Sequence, residues 1–138
     1  MKKRLIDAGP LIALFDKDDR YHNSIKEHLK SYKGYLYTSC AVITEVLHML
    51  NFNVNVQIDF LKWIKLGGVD VVQLDQNNIS RIIELSKKYS DVPMDFADAT
   101  LIVISEIKEI EKIISIDSDF YIYKNIRDKY LENVFLGE

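Results

Sequence analysis

Strand-like and helix-like patterns alternate along this chain, and that alternation limits the possible folds more than any other feature. Short apolar runs typical of β-strands occupy residues 3–6, 35–38, 69–74, 112–116 and 133–136. The stretches between them repeat apolar residues at helical spacing, as in Tyr21, Ile25, Leu29 and Tyr32. Strands that alternate with helices usually form a parallel sheet with helices on both faces. The sequence therefore predicts an α/β fold of three layers around a central parallel sheet.

The predicted helices cover residues 10–15, 21–32, 41–50, 54–66 and 78–89, and a last one runs to about residue 107. Ser39 and Asp75 are suitable caps for the helices that follow them, and Pro93 and Asp95 open the last helix. Gly34 and the Gly67-Gly68 pair end the second and fourth helices. We expect one domain over residues 1–138, since this length and a hydrophobic fraction of 48% suit one compact core.

Cysteine content and hydropathy indicate a cytoplasmic protein. Cys40 is the single cysteine, so it cannot form an internal disulfide or a cysteine-based zinc site. No segment approaches the roughly 20 apolar residues that span a bilayer. The basic start of the chain is soon interrupted by Asp7, so we expect no targeting segment and no membrane. The net charge of −3 argues against a passive nucleic-acid binder, but it is compatible with a metal-dependent nuclease.

Two acidic residues directly follow apolar runs. Asp7 comes after Leu5-Ile6, and Asp117 comes after a run that ends at Ile116. Either aspartate alone is equally well explained as a helix cap or a turn residue. In open parallel sheets, however, ligands bind at the carboxyl ends of the strands. Two such residues on two strands therefore favour a site at that edge.

Two further carboxylates lie in apolar helical segments. Glu45 shares a helix face with Ala41, Val42, His48 and Met49, and the alternative interpretation is a partly exposed residue at the edge of that helix. Asp95 and Asp98 begin the last helix, where Asp95 is interpreted as the N-cap. Asp98 also suits the helix dipole, but the apolar run behind it places its carboxylate deep in the domain. Convergent carboxylates suit a hard cation such as Mg²⁺ or Mn²⁺, which can activate water for phosphodiester cleavage.

Four motifs, in this order, make the chain resemble the PIN domain family over nearly its whole length. The first motif runs from Leu5 to Asp16, and a segment that resembles the stretch that often follows it spans residues 18–22. The other motifs are Thr44-Glu45-Val46, Asp95-Phe96-Ala97-Asp98-Ala99 and Ser115-Ile116-Asp117-Ser118-Asp119-Phe120. Each motif is weak alone, and the ordered set is the more specific signal.

The resemblance implies a small α/β fold and a metal-dependent endoribonuclease. It places the acidic metal positions at Asp7, Glu45, Asp98 and Asp117, with Asp119 as an auxiliary acid. Ser115 stands where the family often has threonine, and would position water or a ligand. Many small members are VapC-type toxins, commonly homodimers that a small antitoxin protein silences. The resemblance thus implies RNA as substrate, Mg²⁺ or Mn²⁺ as cofactor, and an antitoxin and a second copy as partners.

The sequence also departs from the family pattern. Ala8 replaces a common serine or threonine after the first aspartate, which removes a hydroxyl contact. The extra acids Asp16, Asp18 and Asp19 would repel RNA if they lay at the mouth of the site.

Other polar and aromatic residues have ordinary explanations. His28 is expected at the surface, His48 in packing, and His22 is not expected to be catalytic. Basic residues near the second helix and near the end of the chain are interpreted as solvated surface, with RNA phosphates as the alternative contact: Lys17, Arg20, Lys26, Lys30, Lys33, Lys124, Arg127 and Lys129. The aromatic residues are more typical of core or dimer interface, with base stacking as the alternative for Trp63, Tyr35, Tyr37, Tyr121 and Tyr123.

Two other functions compete with the nuclease hypothesis. One is a catalytically silent PIN-fold module that binds RNA or acts as a scaffold, although all four matched acids are present. The other is a phosphoacceptor signalling domain, which typically has a lysine after its last core strand. Here Ser118 and Asp119 stand after Asp117 instead.

Overall fold

A parallel sheet forms the centre of the computed structural model, which describes residues 2–92 and 94–136. Within these ranges five strands pair in the order β3-β2-β1-β4-β5, and every pairing is parallel. The strands are β1 (Lys3–Ile6), β2 (Tyr35–Ser39), β3 (Asp70–Val72), β4 (Lys112–Ile114) and β5 (Glu132–Asn133). Helices connect the strands, as the α/β prediction requires, and the predicted fold class is confirmed.

The described residues form six α-helices, which connect the first four strands. They are α1 (Ala8–Phe15), α2 (His22–Ser31), α3 (Cys40–Met49), α4 (Val54–Lys65), α5 (Ile79–Lys88) and α6 (Phe96–Lys108). The predicted caps form at Ser39, which accepts a hydrogen bond from Val42 N, and at Asp95, which accepts one from Asp98 N. Asp75 caps a short 3₁₀ helix, Gln76–Asn78, that leads into α5. The predicted role of Pro93 lies outside the described residues.

Several predicted boundaries were wrong by a few residues. Helix α2 spans His22–Ser31, one residue shorter at each end than the predicted 21–32, because Tyr32 already has extended backbone. Strand β4 ends at Ile114, since the chain turns at Ser115, whose hydroxyl accepts a hydrogen bond from Asp117 N. Strand β5 ends at Asn133, whose side-chain oxygen accepts hydrogen bonds from the next turn. Local side-chain to backbone hydrogen bonds therefore end these strands earlier than hydropathy suggests.

The core lies between the sheet and the helices, and α6 is the most deeply buried helix. All residues from Asp98 to Ser105 are buried, and α6 packs against β2, α3 and α5. Strands β1 and β4 at the centre of the sheet have fully buried apolar residues, such as Leu5, Ile6 and Ile113. Near the N-terminus of α6, Thr100 donates a hydrogen bond to Ser39 at the carboxyl end of β2, which holds the start of the helix at that edge of the sheet. Over the described part of the chain, no helix has the length and apolar character to cross a membrane.

Candidate active site

Asp7 connects the end of β1 to the start of α1. Its carboxylate caps α1 by accepting a hydrogen bond from Ala8 N at 2.8 Å, and its backbone N–H donates to Ile114 O of β4 at 3.1 Å. The side chain is only 7% exposed. Asp7 is therefore both a helix cap and a buried carboxylate at the carboxyl edge of the sheet, so the two interpretations of this residue are compatible.

Ser115 joins the ends of β1 and β4 through its side chain. Its Oγ donates to Asp7 Oδ2 at 3.1 Å and accepts from Asp117 N at 2.9 Å. Its backbone carbonyl accepts a hydrogen bond from Asn133 Nδ2 at 3.1 Å, which connects the turn to β5. Ser115 is fully buried, so its orientation is set by these partners.

Asp98 reaches the same edge of the sheet from α6. It occupies the third helical position, its backbone N–H bonds to the Asp95 carboxylate at 2.8 Å, and its side chain is 7% exposed. Two residues further along, Thr100 donates to Ser39 Oγ at 2.8 Å. This buried hydrogen bond ties α6 to the start of α3. The helix therefore cannot move away from the strand ends without breaking it.

Burial and repulsion from neighbouring acids make Asp7 and Asp98 hard to ionise. Burial raises the pKa of Asp7 to about 6, even though hydrogen bonds from Ala8 and Ser115 stabilise its charged form. Burial also raises the pKa of Asp98 to about 8, and the negative charges of Asp95, Asp7, Asp119 and Asp117 add to that effect. At neutral pH and without a cation, Asp98 holds its proton.

The other predicted acids surround this pair and are more open to solvent. Glu45 on α3 and Asp117 after β4 are exposed, and Asp119 is half-buried. Loss of hydration raises the pKa of Glu45, and repulsion from Asp95 and Asp117 raises it further. Loss of hydration and repulsion from Asp117 likewise raise the pKa of Asp119. Glu45 is therefore an exposed residue of α3, in line with the alternative interpretation of a partly exposed residue at the helix edge. The charges of Asp95 and Asp117 nevertheless act on it.

Asp95 is a member of the acidic group that the sequence interpretation treated only as a cap. It does cap α6. Its charge also acts on Glu45, Asp98 and Asp119, each of which has a raised pKa. The spacing of Asp95 and Asp98 in the sequence is explained equally well by capping alone. Only the folded positions of Glu45 and Asp119, which are distant in the sequence, show that Asp95 also contributes charge to the acidic group.

The described residues bring carboxylates together, and none of the ion pairs among them balances this group with a basic side chain. Across residues 2–92 and 94–136, no ion pair includes Asp7, Glu45, Asp95, Asp98, Asp117 or Asp119. In the same part of the chain, no three His, Cys, Asp or Glu side chains are arranged so that they hold a metal ion together. Carboxylate oxygens are nevertheless the donors that Mg²⁺ and Mn²⁺ prefer, so the chemistry of this group fits a hard divalent cation.

The extra acids at the end of α1 take part in turns rather than in the site. Asp16 accepts a hydrogen bond from Asp18 N, and Asp19 accepts one from Tyr21 N. They follow the C-terminus of α1, whereas Asp7 caps its N-terminus. An eight-residue helix is about 12 Å long, which separates these acids from Asp7.

The histidines have structural contacts or lie at the surface. His22 Nδ1 is 2.7 Å from Ala13 O, so the ring fastens α2 to α1. His28 is half-buried rather than at the surface, because its ring packs edge-on against Phe135 at 5.4 Å. The packing role predicted for His48 is wrong, since its side chain is exposed.

Two of the aromatic residues considered for base stacking are packed against other rings. Trp63 packs against Phe15 and Phe60, as expected of a packing residue. Tyr123 is fully buried and is therefore unavailable for stacking. Tyr35 and Tyr121 are about half-exposed, at 49% and 47%.

Comparison with known proteins identifies the family. The PIN domain model matches residues 4–126. The crystal structure of Mycobacterium tuberculosis VapC20, described as a Sarcin-Ricin loop cleaving toxin, superposes with a TM-score of 0.76 at 21% identity, over 86% of this chain and 92% of that one. A toxin–antitoxin complex from Klebsiella pneumoniae superposes with a TM-score of 0.64 at 19% identity, over 85% and 89% of the two chains. No curated protein matches the chain. The fold and the family model agree, and the chain belongs to the PIN domain family.

Proposed function

We propose that this protein is an endoribonuclease that uses a divalent cation, Mg²⁺ or Mn²⁺, to cleave RNA phosphodiester bonds. The observation that carries the proposal is the pair of buried carboxylates, Asp7 and Asp98, at the carboxyl edge of the sheet with no basic partner among the described residues. Buried carboxylates without a basic partner are costly to ionise, and carboxylates perturbed in this way are concentrated at functional sites. The PIN family membership and the toxin described as cleaving the Sarcin-Ricin loop support RNA as the substrate.

In this proposal Asp7, Glu45, Asp98 and Asp117 bind the cation, and Asp119 assists them. A bound Mg²⁺ or Mn²⁺ would activate water and stabilise the leaving oxygen of the phosphodiester. The protein's own part is to present negatively charged oxygens. Ser115 and Ala8 N hold the Asp7 carboxylate, while Asp95 holds the backbone of Asp98 at the helix start. Asp98 must release its proton before it becomes a ligand, because metal ions bind the deprotonated form.

Asp95 is an additional candidate for the site. Because it repels Glu45, Asp98 and Asp119, it increases the negative potential that attracts a cation. It is also committed to capping α6, so its carboxylate already accepts a hydrogen bond from Asp98 N. We infer that it strengthens the field of the site rather than serving as a principal ligand.

The proposal includes protein partners, namely a second copy of the chain and an antitoxin. The similar Klebsiella pneumoniae structure is described as a toxin–antitoxin complex, which supports an antitoxin. An exposed apolar row on α4 supports a protein contact: Val54, Ile58 and Leu61 are 63%, 41% and 46% exposed at helical spacing. Light scattering of the purified protein tests the homodimer, which we expect Ile58→Glu to weaken.

The deciding experiment is RNA cleavage by purified protein with Mg²⁺ or Mn²⁺, with EDTA and Asp98→Asn as negative controls. Asp75→Asn is the matched control, because it removes one carboxylate from a different cap and asparagine caps as well as aspartate. We expect cleavage by the wild type and by Asp75→Asn, and none with EDTA or Asp98→Asn. RNA binding without metal-dependent cleavage would instead favour the catalytically silent binding or scaffold module.

A further inference from the structure

Tyr123 places a phenol hydroxyl beside the acidic group from inside the core. It is 0% exposed, and its side chain is among the largest that the fold buries completely. Its hydroxyl donates a long hydrogen bond of 3.5 Å to Asp98 Oδ2. A buried tyrosine hydroxyl normally has a hydrogen-bond partner, and here a carboxylate of the site is one.

The aromatic ring of Tyr123 is held on more than one side. It meets Tyr89 edge-on at 5.2 Å and Phe120 edge-on at 5.8 Å between ring centres. The Tyr89 hydroxyl in turn accepts a hydrogen bond from Lys124 N at 2.7 Å, directly after Tyr123 in the chain. Edge-to-face contacts of this kind fix the ring orientation as well as burying area. The hydroxyl therefore has a defined position relative to Asp98.

The segment that carries Tyr123 is fastened to α6 at a second point. Glu106 Oε2 accepts a hydrogen bond from Ile126 N at 2.7 Å. Arg81 of α5 holds the same carboxylate with two hydrogen bonds, of 2.9 and 2.8 Å. Contacts at Asp98 and at Glu106 thus lie along one helix. These two contacts fasten the segment to α6, and the one at Asp98 places the Tyr123 hydroxyl near the helix N-terminus.

The chemistry of the donor is as informative as its position. A lysine or arginine beside Asp98 would neutralise its charge and compete with a cation for the site. A phenol hydroxyl stabilises the charged carboxylate and adds no positive charge. A tyrosine hydroxyl is ordinarily protonated at neutral pH, so it can donate a hydrogen bond to the carboxylate.

We propose that Tyr123 is a positioning residue for Asp98, orienting its carboxylate for the divalent cation of the site. This inference rests on the proposed function. It assigns a role outside the acidic motifs, to a residue 25 positions away from its partner in the chain. Hydrogen bonds to metal-binding side chains typically change metal affinity or activity by about 10–100-fold when they are removed.

Tyr123→Phe tests the inference, because it deletes the hydroxyl and keeps the ring that packs against Tyr89 and Phe120. Tyr121→Phe is the matched control, with the same chemical change two positions away in a side chain that is 47% exposed. Mn²⁺ binding to the purified full-length protein is measured by titration calorimetry, and folding by thermal denaturation in EDTA. We expect Mn²⁺ to bind Tyr123→Phe about 10–100-fold more weakly, with wild-type affinity in Tyr121→Phe.

Cleavage at low and high Mn²⁺ gives a second measurement that separates positioning from packing. A positioning role predicts a large loss at low Mn²⁺ and partial recovery at high Mn²⁺. Mn²⁺ affinity within twofold of wild type in Tyr123→Phe would overturn the inference while leaving the proposed function intact. A wild-type protein that binds no Mn²⁺ would overturn both.

Discussion

The Ser115 hydroxyl lies 3.1 Å from Asp7 Oδ2 and connects two residues that are 108 positions apart in the chain. The same oxygen accepts a hydrogen bond from Asp117 N, so one side chain orders two carboxylate-bearing turns. From its place in the sequence alone, Ser115 cannot be distinguished from an ordinary turn residue at a strand end.

Ser115→Ala should reduce metal-dependent cleavage by about 10–100-fold, because the Asp7 carboxylate loses a donor that fixes its orientation. Ser115→Thr keeps the hydroxyl and should retain most of the activity. Ser86→Ala is the control, since it removes a hydroxyl that bonds only within α5, to Ile82 O. Initial cleavage rates at fixed Mn²⁺ measure the effect, and equal rates for Ser115→Ala and wild type would contradict it.

The metal-free protein should lose stability as the pH rises from about 4 to 8. The pKa of Asp98 is about 8 in the folded protein against 3.8 as its ordinary value. Between these values the folded state binds more protons than the unfolded state, so raising the pH favours unfolding. One retained proton corresponds to a slope of about 1.4 kcal/mol per pH unit. Asp7 adds to the slope only up to about pH 6.

Thermal denaturation in EDTA across this pH range measures the effect, with Asp98→Asn as the comparison. The variant removes the titrating group, so its melting temperature should fall less than that of wild type between pH 6 and 8. Parallel curves for the two proteins would show that Asp98 is not responsible.

Mn²⁺ affinity should increase as the pH rises from 6 to 8. Asp98 carries a proton over most of this range, and the cation must displace it. One displaced proton changes the apparent affinity by up to about tenfold per pH unit. Calorimetry in two buffers that differ in ionisation enthalpy counts the released protons. Affinity that does not change with pH would mean that the cation binds without Asp98.

Arg81→Ala should destabilise the fold by about 2 kcal/mol, because it leaves a mostly buried Glu106 without its paired hydrogen bonds. The Arg81 and Glu106 side chains are 22% and 12% exposed. Lys30→Ala is the control, since the pair it forms with Glu27 is 65% and 74% exposed and should change stability by less than about 1 kcal/mol. Urea denaturation of both variants tests the difference.

The sequence by itself determined the fold class and the strand ends that carry Asp7 and Asp117. Strands buried on both faces appear as continuous apolar runs, and an acidic residue directly after such a run must lie at the edge of the sheet. The sequence also located the N-terminus of α6, because Asp95 stands as an N-cap directly before the helical pattern. The sequence did not determine where β4 and β5 end. Those strands end where the Ser115 and Asn133 side chains accept hydrogen bonds from the backbone of the following turn.

Only the tertiary structure decided which carboxylates are buried and what holds them. Asp7 and Asp98 are enclosed while Glu45 and Asp117 are open to solvent, although all four lie within or beside apolar stretches of the sequence. The donors at Ser115 and Tyr123, and the repulsion of Glu45 by Asp95, come from segments far from their partners in the chain. Desolvation and charge interactions depend on distance in space, which packing sets and local sequence pattern does not record.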